Sequence, residues 1–210
     1  MADSSEASAG TLGHYQRNAE GFRVGTWDHD VSQNIAALLE ALSARAGEAG
    51  KGPFAILDLG CGPGRDLLAL SRMGHVATGL DGTAEFVRMA REASGCEVFH
   101  QDFIRLELPP LRFDGVFANA SLFHVPSAEL PRVLRELHGA LKEGGILFSS
   151  NPRGADVEGW SGERYGVWHS LEGWRRYLVA AGFAELRHYY RPDGLPREQQ
   201  PWLASVWQKT

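Results

Sequence analysis

The chain has 210 residues, of which 43% are hydrophobic and 22% charged. That is enough to bury one sizeable core, and no internal repeat or low-complexity tract divides it. A formal net charge of -5 supplies no basic field for a phosphate backbone, which argues against nucleic acid as substrate and towards a small molecule.

Residues 1–12, beginning Met1-Ala2-Asp3-Ser4-Ser5-Glu6, carry neither the charge pattern nor the apolar core of a signal peptide and are expected to be disordered. No apolar run is long enough to span a bilayer, so no membrane partner is expected. The two cysteines, Cys61 and Cys96, are too few for a disulfide framework and lack metal-ligand spacing. The expectation is a cytoplasmic protein without a metal site.

Residues 13–210 read as a single domain that begins with a cover helix over about 13–50. Asp30 with Gln33 opens a helix whose Ile35, Leu38, Leu39 and Leu42 share one face. Next, Ile56-Leu57-Asp58-Leu59 reads as a buried parallel strand running into Gly60-Cys61-Gly62-Pro63-Gly64. Glycines at alternate positions suit a tight turn whose backbone lies against a ligand, where any Cβ would collide. Asp58 is either part of that cradle or a local turn cap, and Cys61 reads as a small filler.

A second strand, residues 75–80, ends in Asp81; a third, residues 97–101, ends in Asp102-Phe103; a fourth, residues 113–118, runs into Asn119-Ala120. Four successive strand ends thus carry polar groups where an open parallel sheet gathers its ligands. Ser127 is the expected cap of a helix with Leu130, Val133, Leu134, Leu137 and Leu141 inward, stopping at Gly144. A fifth strand, residues 145–150, follows. Ser170 starts a last helix, and strands at 184–190 and about 203–208 close the chain as an antiparallel pair. Trp174, Phe183 and Trp207 read as packing.

The glycine spacing is one residue tighter than the G-x-G-x-x-G dinucleotide fingerprint, which argues against NAD. With Asp58, Asp81 and Asp102-Phe103 it resembles the class I S-adenosylmethionine-dependent methyltransferases. The resemblance implies an α/β, Rossmann-like, doubly wound seven-stranded sheet, mostly parallel with an antiparallel C-terminal edge strand. It also implies S-adenosylmethionine as cofactor and S-adenosylhomocysteine as product. Gly60, Gly62 and Gly64, with Asp58, would lie against its methionine part; Asp81 with Gly82 would hold the ribose, Asp102 with Phe103 the adenine, and Asn119 and Ala120 would face the methyl and amino groups.

Several segments are similar to a narrower group, the 5-thiohistidine N-methyltransferase domain of ovothiol biosynthesis. They are residues 25–34, 117–126, 150–154, 189–192 and 194–202. The activity implied is methyl transfer to an imidazole nitrogen of 5-thiohistidine, giving ovothiol A. In that group the domain commonly follows an iron-dependent sulfoxide synthase, so functional pairing with a separate synthase is implied. Other readings are methylation of a different small amine, thiol or carboxylate, and a non-catalytic cofactor-binding module.

Candidate acceptor-side residues come from three stretches rich in aromatic and hydrogen-bonding groups. His124, His29 and Tyr189 are candidates for taking or steering a proton. Tyr15, Trp27, Asn119, Asn151 and Tyr189 would wall the acceptor, with Arg153 or Arg191 for its carboxylate and Asp30 for its ammonium. For His124 the competing role is a turn cap, and for the arginines a solvated face.

Overall fold

A computed structural model describes residues 3–47 and 52–210. Its centre is β1 (Ala55–Leu59), of which Ile56, Leu57, Asp58 and Leu59 are buried, as a strand covered on both faces requires. Around it lie β2 (Val76–Asp81), β3 (Glu97–His100), β4 (Phe113–Asn119), β5 (Leu141–Pro152), β8 (Phe183–Arg191) and β9 (Trp202–Lys209). The seven-stranded sheet has the order β3-β2-β1-β4-β5-β9-β8. The sheet is mostly parallel, as expected; β9 alone runs against its neighbours, lying between β5 and β8 with β8 outermost.

Helices cover both faces. α2 (Ser32–Ala46), α3 (Arg65–Arg72) and α4 (Ala84–Ser94) bury Leu38, Leu42, Leu67 and Val87 in a core shared with Ile56 and Phe117. On the other face α5 (Leu130–Ala140) and α6 (Leu171–Ala180) enclose Leu134, Trp174 and Trp207. Trp174, Phe183 and Trp207 are core residues, as their apolar bulk predicts. The two indoles donate to Ser149 and Ser205 hydroxyls, which satisfies their N–H groups in the interior.

Several boundaries differ from the sequence reading. The expected disorder over residues 1–12 is corrected by α1 (Ser4–Thr26), capped by Asp3 and burying Ala7, Ser8 and Thr11. Its small residues give little helical contrast in hydrophobicity, and the surface they pack against lies about 150 residues away. Met1 and Ala2 lie outside the described residues, as do residues 48–50 of the expected cover helix. That cover is two helices, α1 and α2.

Neither Ser127 nor Gly144 caps α5: the helix starts after Glu129 and ends at Ala140, while Leu141 already pairs with Phe113 as part of β5. A leucine satisfies the last place of a helical stripe and the first place of a buried strand equally, so pattern alone misplaced the border. The aromatic stretch after β5 forms a hairpin, β6 (Val157–Ser161) with β7 (Arg164–Trp168), to which the sequence reading assigned no strands. Among the described residues no helix is long and apolar enough to cross a membrane.

Candidate active site

A cavity of about 190 Å³ opens at the carboxyl ends of β1 to β4, beneath α1. Its floor is built from strand ends. Gly60 and Gly62 have φ of 76° and 53°, which a side chain resists. The Gly60 and Cys61 amides donate to the Leu80 carbonyl at 2.8 and 3.0 Å, tying the turn to β2. A Cβ on Gly60 would stand 2.5 Å from Ser121 Cβ, and one on Gly82 2.7 Å from Leu12. Both positions therefore require glycine.

Asp81 ends β2 and accepts from the Gly62 amide at 3.0 Å and the Thr83 amide at 2.8 Å. Burial raises its pKa, and these two amide bonds oppose that shift. Asp102, after β3, lies 2.7 and 2.8 Å from the Ser8 hydroxyl with its two oxygens and also accepts from the Ile104 amide. After β4, Ala120 holds a φ of 60°, unusual for a residue with a side chain and typical of backbone constrained at a site.

At the side of the cavity, Asp66 receives Arg65 at 2.6 and 3.0 Å, while Arg65 also donates to the Thr26 carbonyl. Asn119 Nδ2 donates to Asp66 at 3.1 Å, Asn34 Nδ2 to Asn119 Oδ1 at 2.9 Å, and the Tyr189 hydroxyl to Asn34 Oδ1 at 2.9 Å. Behind this line lies Asp58, fully buried, whose carboxyl is held far above the usual range by desolvation and by the Asp66 charge. Its contact is the Leu67 amide in α3.

The roof joins α1, β7 and the turn after β4. Tyr15 and His124 line the cavity, with the Tyr15 hydroxyl 2.9 Å from His124 Nε2. His124 Nδ1 lies 2.6 Å from the Tyr165 carbonyl, and Arg164 donates to the Tyr15 oxygen at 3.3 Å. Desolvation, more than the nearby positive charge of Arg164, lowers the pKa of His124 to about 4. Burial raises that of Tyr15.

Of the residues singled out from sequence, Gly60, Gly62, Asp81, Gly82, Asp102, Phe103, Asn119, Ala120, Tyr15 and His124 line this one cavity. Others do not. Asp58 is buried behind the cavity with its Oδ2 unpartnered, and Gly64 serves packing, since a Cβ there would meet Ala90 Cα at 2.7 Å. His29 and Asp30 are exposed in the turn before α2, and Asp30 caps Ser32; Trp27 ends α1. Asn151 is buried in β5 with its Oδ1 unpartnered.

Arg153 donates to the Gln200 and Arg197 carbonyls, so it secures the loop before β9 instead of meeting a carboxylate. Arg191 donates to the Asp30 carbonyl. Tyr189 reaches the cavity only through Asn34 and Asn119. Missed from the sequence were Ser8, Thr11 and Leu12 on α1, the Arg65–Asp66 pair, Thr83, Phe86, Ser121 and, behind Tyr15, Arg164. Asp66 and Ser121 had a signal, being polar neighbours of recognised turns; the α1 residues had none.

Residues 56–145 match the family model described as a methyltransferase domain. The chain is 35% identical over 147 residues to a trans-aconitate 2-methyltransferase of Rhodopseudomonas palustris, covering 69% of this chain and 53% of that protein. Residues 56–145 therefore carry a methyltransferase domain. The chain spans about half the length of that curated relative.

Among solved structures, its fold is similar to Burkholderia thailandensis 1,6-didemethyltoxoflavin-N1-methyltransferase with bound 1,6-didemethyltoxoflavin and S-adenosylhomocysteine. The TM-score is 0.73 at 22% identity, covering 100% of this chain and 92% of that one. It is also similar to the [4+2]-cyclase SpnF, at a TM-score of 0.69 and 20% identity, covering 94% of each chain. One fold thus serves unlike reactions, and the acceptor must be argued from the site.

The cavity of the methyltransferase domain fits S-adenosylmethionine on its own geometry. It combines a turn with no room for a Cβ at Gly60, two strand-end carboxylates and the buried Ser121 hydroxyl, which has no partner. Gly60 and Gly62 would take the methionine part, Asp81 the ribose and Asp102 with Phe103 the adenine.

Proposed function

We propose that this chain methylates an imidazole nitrogen of 5-thiohistidine, giving ovothiol A. The reading is supported by the segments that resemble the thiohistidine N-methyltransferases and carried by the charge of the cavity. Its lining holds three carboxylates, Asp66, Asp81 and Asp102, against one basic side chain, Arg65, already bound to Asp66. With Asp81 and Asp102 given to the cofactor and Arg65 bound to Asp66, the lining holds no unpaired cation among the described residues, which disfavours a polyanion as acceptor.

S-adenosylmethionine supplies an electrophilic methyl on sulfonium. A ring nitrogen lone pair forms the new N–C bond as the C–S bond breaks, S-adenosylhomocysteine leaves, and the ring N–H proton passes to solvent. The protein contributes alignment and exclusion of water; no nucleophilic side chain is required. A sulfoxide synthase acting on histidine is the partner reaction that this assignment calls for.

The trans-aconitate methyltransferase relative favours a second reading, ester formation on a carboxylate. The lining offers no free cation to hold such a substrate among the described residues. Mass spectrometry with labelled cofactor and a panel of 5-thiohistidine, histidine and trans-aconitate separates the readings. One labelled methyl on 5-thiohistidine is expected. A methyl ester of trans-aconitate with no product from thiohistidine rejects the assignment, and cofactor binding without transfer to any acceptor indicates a non-catalytic module.

A further inference from the structure

Hydrogen-bond roles in the cavity roof are set by which groups can donate. The Tyr165 carbonyl only accepts, so His124 Nδ1, 2.6 Å away, carries a proton. Burial keeps the imidazole neutral near pH 7, and the charges of Arg164 and His14 work in the same direction. His124 Nε2 is then a bare lone pair, and the Tyr15 hydroxyl at 2.9 Å must donate to it. A guanidinium only donates, so Arg164 at 3.3 Å takes one lone pair of the Tyr15 oxygen. That oxygen has one lone pair left, and Tyr15 lines the cavity.

We propose that the Tyr15 oxygen, held by His124 and Arg164, is a fixed hydrogen-bond acceptor that selects methyl acceptors presenting an N–H, with His124 as a positioning residue and not the proton acceptor. This deepens the assignment above and rests on it. An imidazole has an N–H on one ring nitrogen and a lone pair on the other. Holding the N–H against Tyr15 selects the tautomer whose second nitrogen is free to attack, and it raises the electron density there. A carboxylate in the same place meets an oxygen lone pair with no proton to give, so the arrangement discriminates against ester formation.

Steady-state kinetics and titration in the presence of S-adenosylhomocysteine test the proposal with Tyr15→Phe, His124→Gln and His124→Phe, the affinity for S-adenosylhomocysteine serving as the folding control. Loss of one such hydrogen bond predicts that Tyr15→Phe raises KM for the N–H acceptor about tenfold or more. Glutamine accepts the tyrosine proton through its amide oxygen but cannot become a cation. His124→Gln should therefore keep kcat/KM within about threefold of the parent, whereas His124→Phe should resemble Tyr15→Phe.

If His124→Gln is as impaired as His124→Phe while both bind S-adenosylhomocysteine normally, His124 takes the proton and the proposal fails. It also fails if Tyr15→Phe leaves KM unchanged, or if a carboxylate is the acceptor turned over. Should thiohistidine be inert but another N–H heterocycle be methylated with the same dependence on Tyr15, the thiohistidine assignment falls and the selection by Tyr15 stands.

Discussion

The floor of the cavity and its roof are encoded on different scales. In the floor, each polar group follows its own strand within a few residues: Gly60 to Pro63 after β1, Asp81 at the end of β2, Asp102 after β3, Asn119 to Ser121 after β4. The parallel register of β1 with β2 and β4 then places these ends side by side. In the roof, Tyr15 meets His124 across 109 residues and Arg164 across 149, and Thr11 accepts from the Tyr165 amide across 154. A sheet brings its strand ends together whatever follows them, whereas the roof exists only because α1 and the β6–β7 hairpin fit each other. A Cβ on Gly10 would lie 2.6 Å from the Trp160 ring, which shows how close that fit is. The floor can thus be common to enzymes with unlike acceptors, and on the reading proposed above acceptor identity resides in the roof.

The sharpest way to break this division is at Gly60. Gly60→Val demands a β-branched residue at φ 76° and a Cβ 2.5 Å from that of Ser121. Calorimetric titration should show no heat with S-adenosylmethionine, while circular dichroism retains the α/β signal. Normal affinity would mean that the turn is not the cradle.

Next in size, Asp81→Asn replaces a charged acceptor of two backbone amides by a neutral one. With charge-assisted bonds each worth about 1.5–3 kcal/mol, cofactor affinity should fall about 10- to 100-fold, and an unchanged dissociation constant would remove Asp81 from the site.

The smaller effects lie where floor and roof meet the rest of the fold. Asn34→Ala cuts the line from Tyr189 to Asp66 and leaves Asn119 Oδ1 without a donor. An unsatisfied acceptor costs about 1–3 kcal/mol when fully buried and less for the half-buried Asn119, to be read as a lower midpoint in urea. If the midpoint is unmoved, that line of side chains does not hold Asn119.

The sheet, its seven strands and most of the floor were legible because local patterns carry them: an apolar run, an acid, a glycine turn. Legibility failed where one residue type serves two purposes. Gly64 resembles the cradle glycines but makes room for Ala90, and Asp58 resembles a ligand acid but is buried behind the cavity. It failed also where a partner is remote, as with α1, whose alanines, glycines and serines acquire meaning only against Trp160 and Tyr165. Arg153 and Arg191 show the same failure in reverse, since charge suggested an anion and the structure gives them backbone carbonyls.

The finest test of the roof is the pH dependence of stability. His124 has an ordinary pKa of 6.5 and is held at about 4 in the folded chain. Between those values the unfolded chain takes up a proton that the folded chain refuses, so stability present above pH 6.5 is lost as the pH falls towards 4. Asp58, whose pKa burial raises, acts in the opposite sense, since it favours the fold less as pH rises past its unfolded value. That contribution is common to the parent and His124→Gln and cancels in their difference. Allowing for solvent in the cavity, His124 should cost the parent about 1 kcal/mol between pH 8 and pH 5 that the glutamine variant does not lose. The urea midpoint of the parent should therefore fall relative to that of the variant on acidification. Parallel curves would mean that the folded chain protonates His124 as readily as the unfolded one, and below pH 6.5 Tyr15 would then have no lone pair on His124 to donate to.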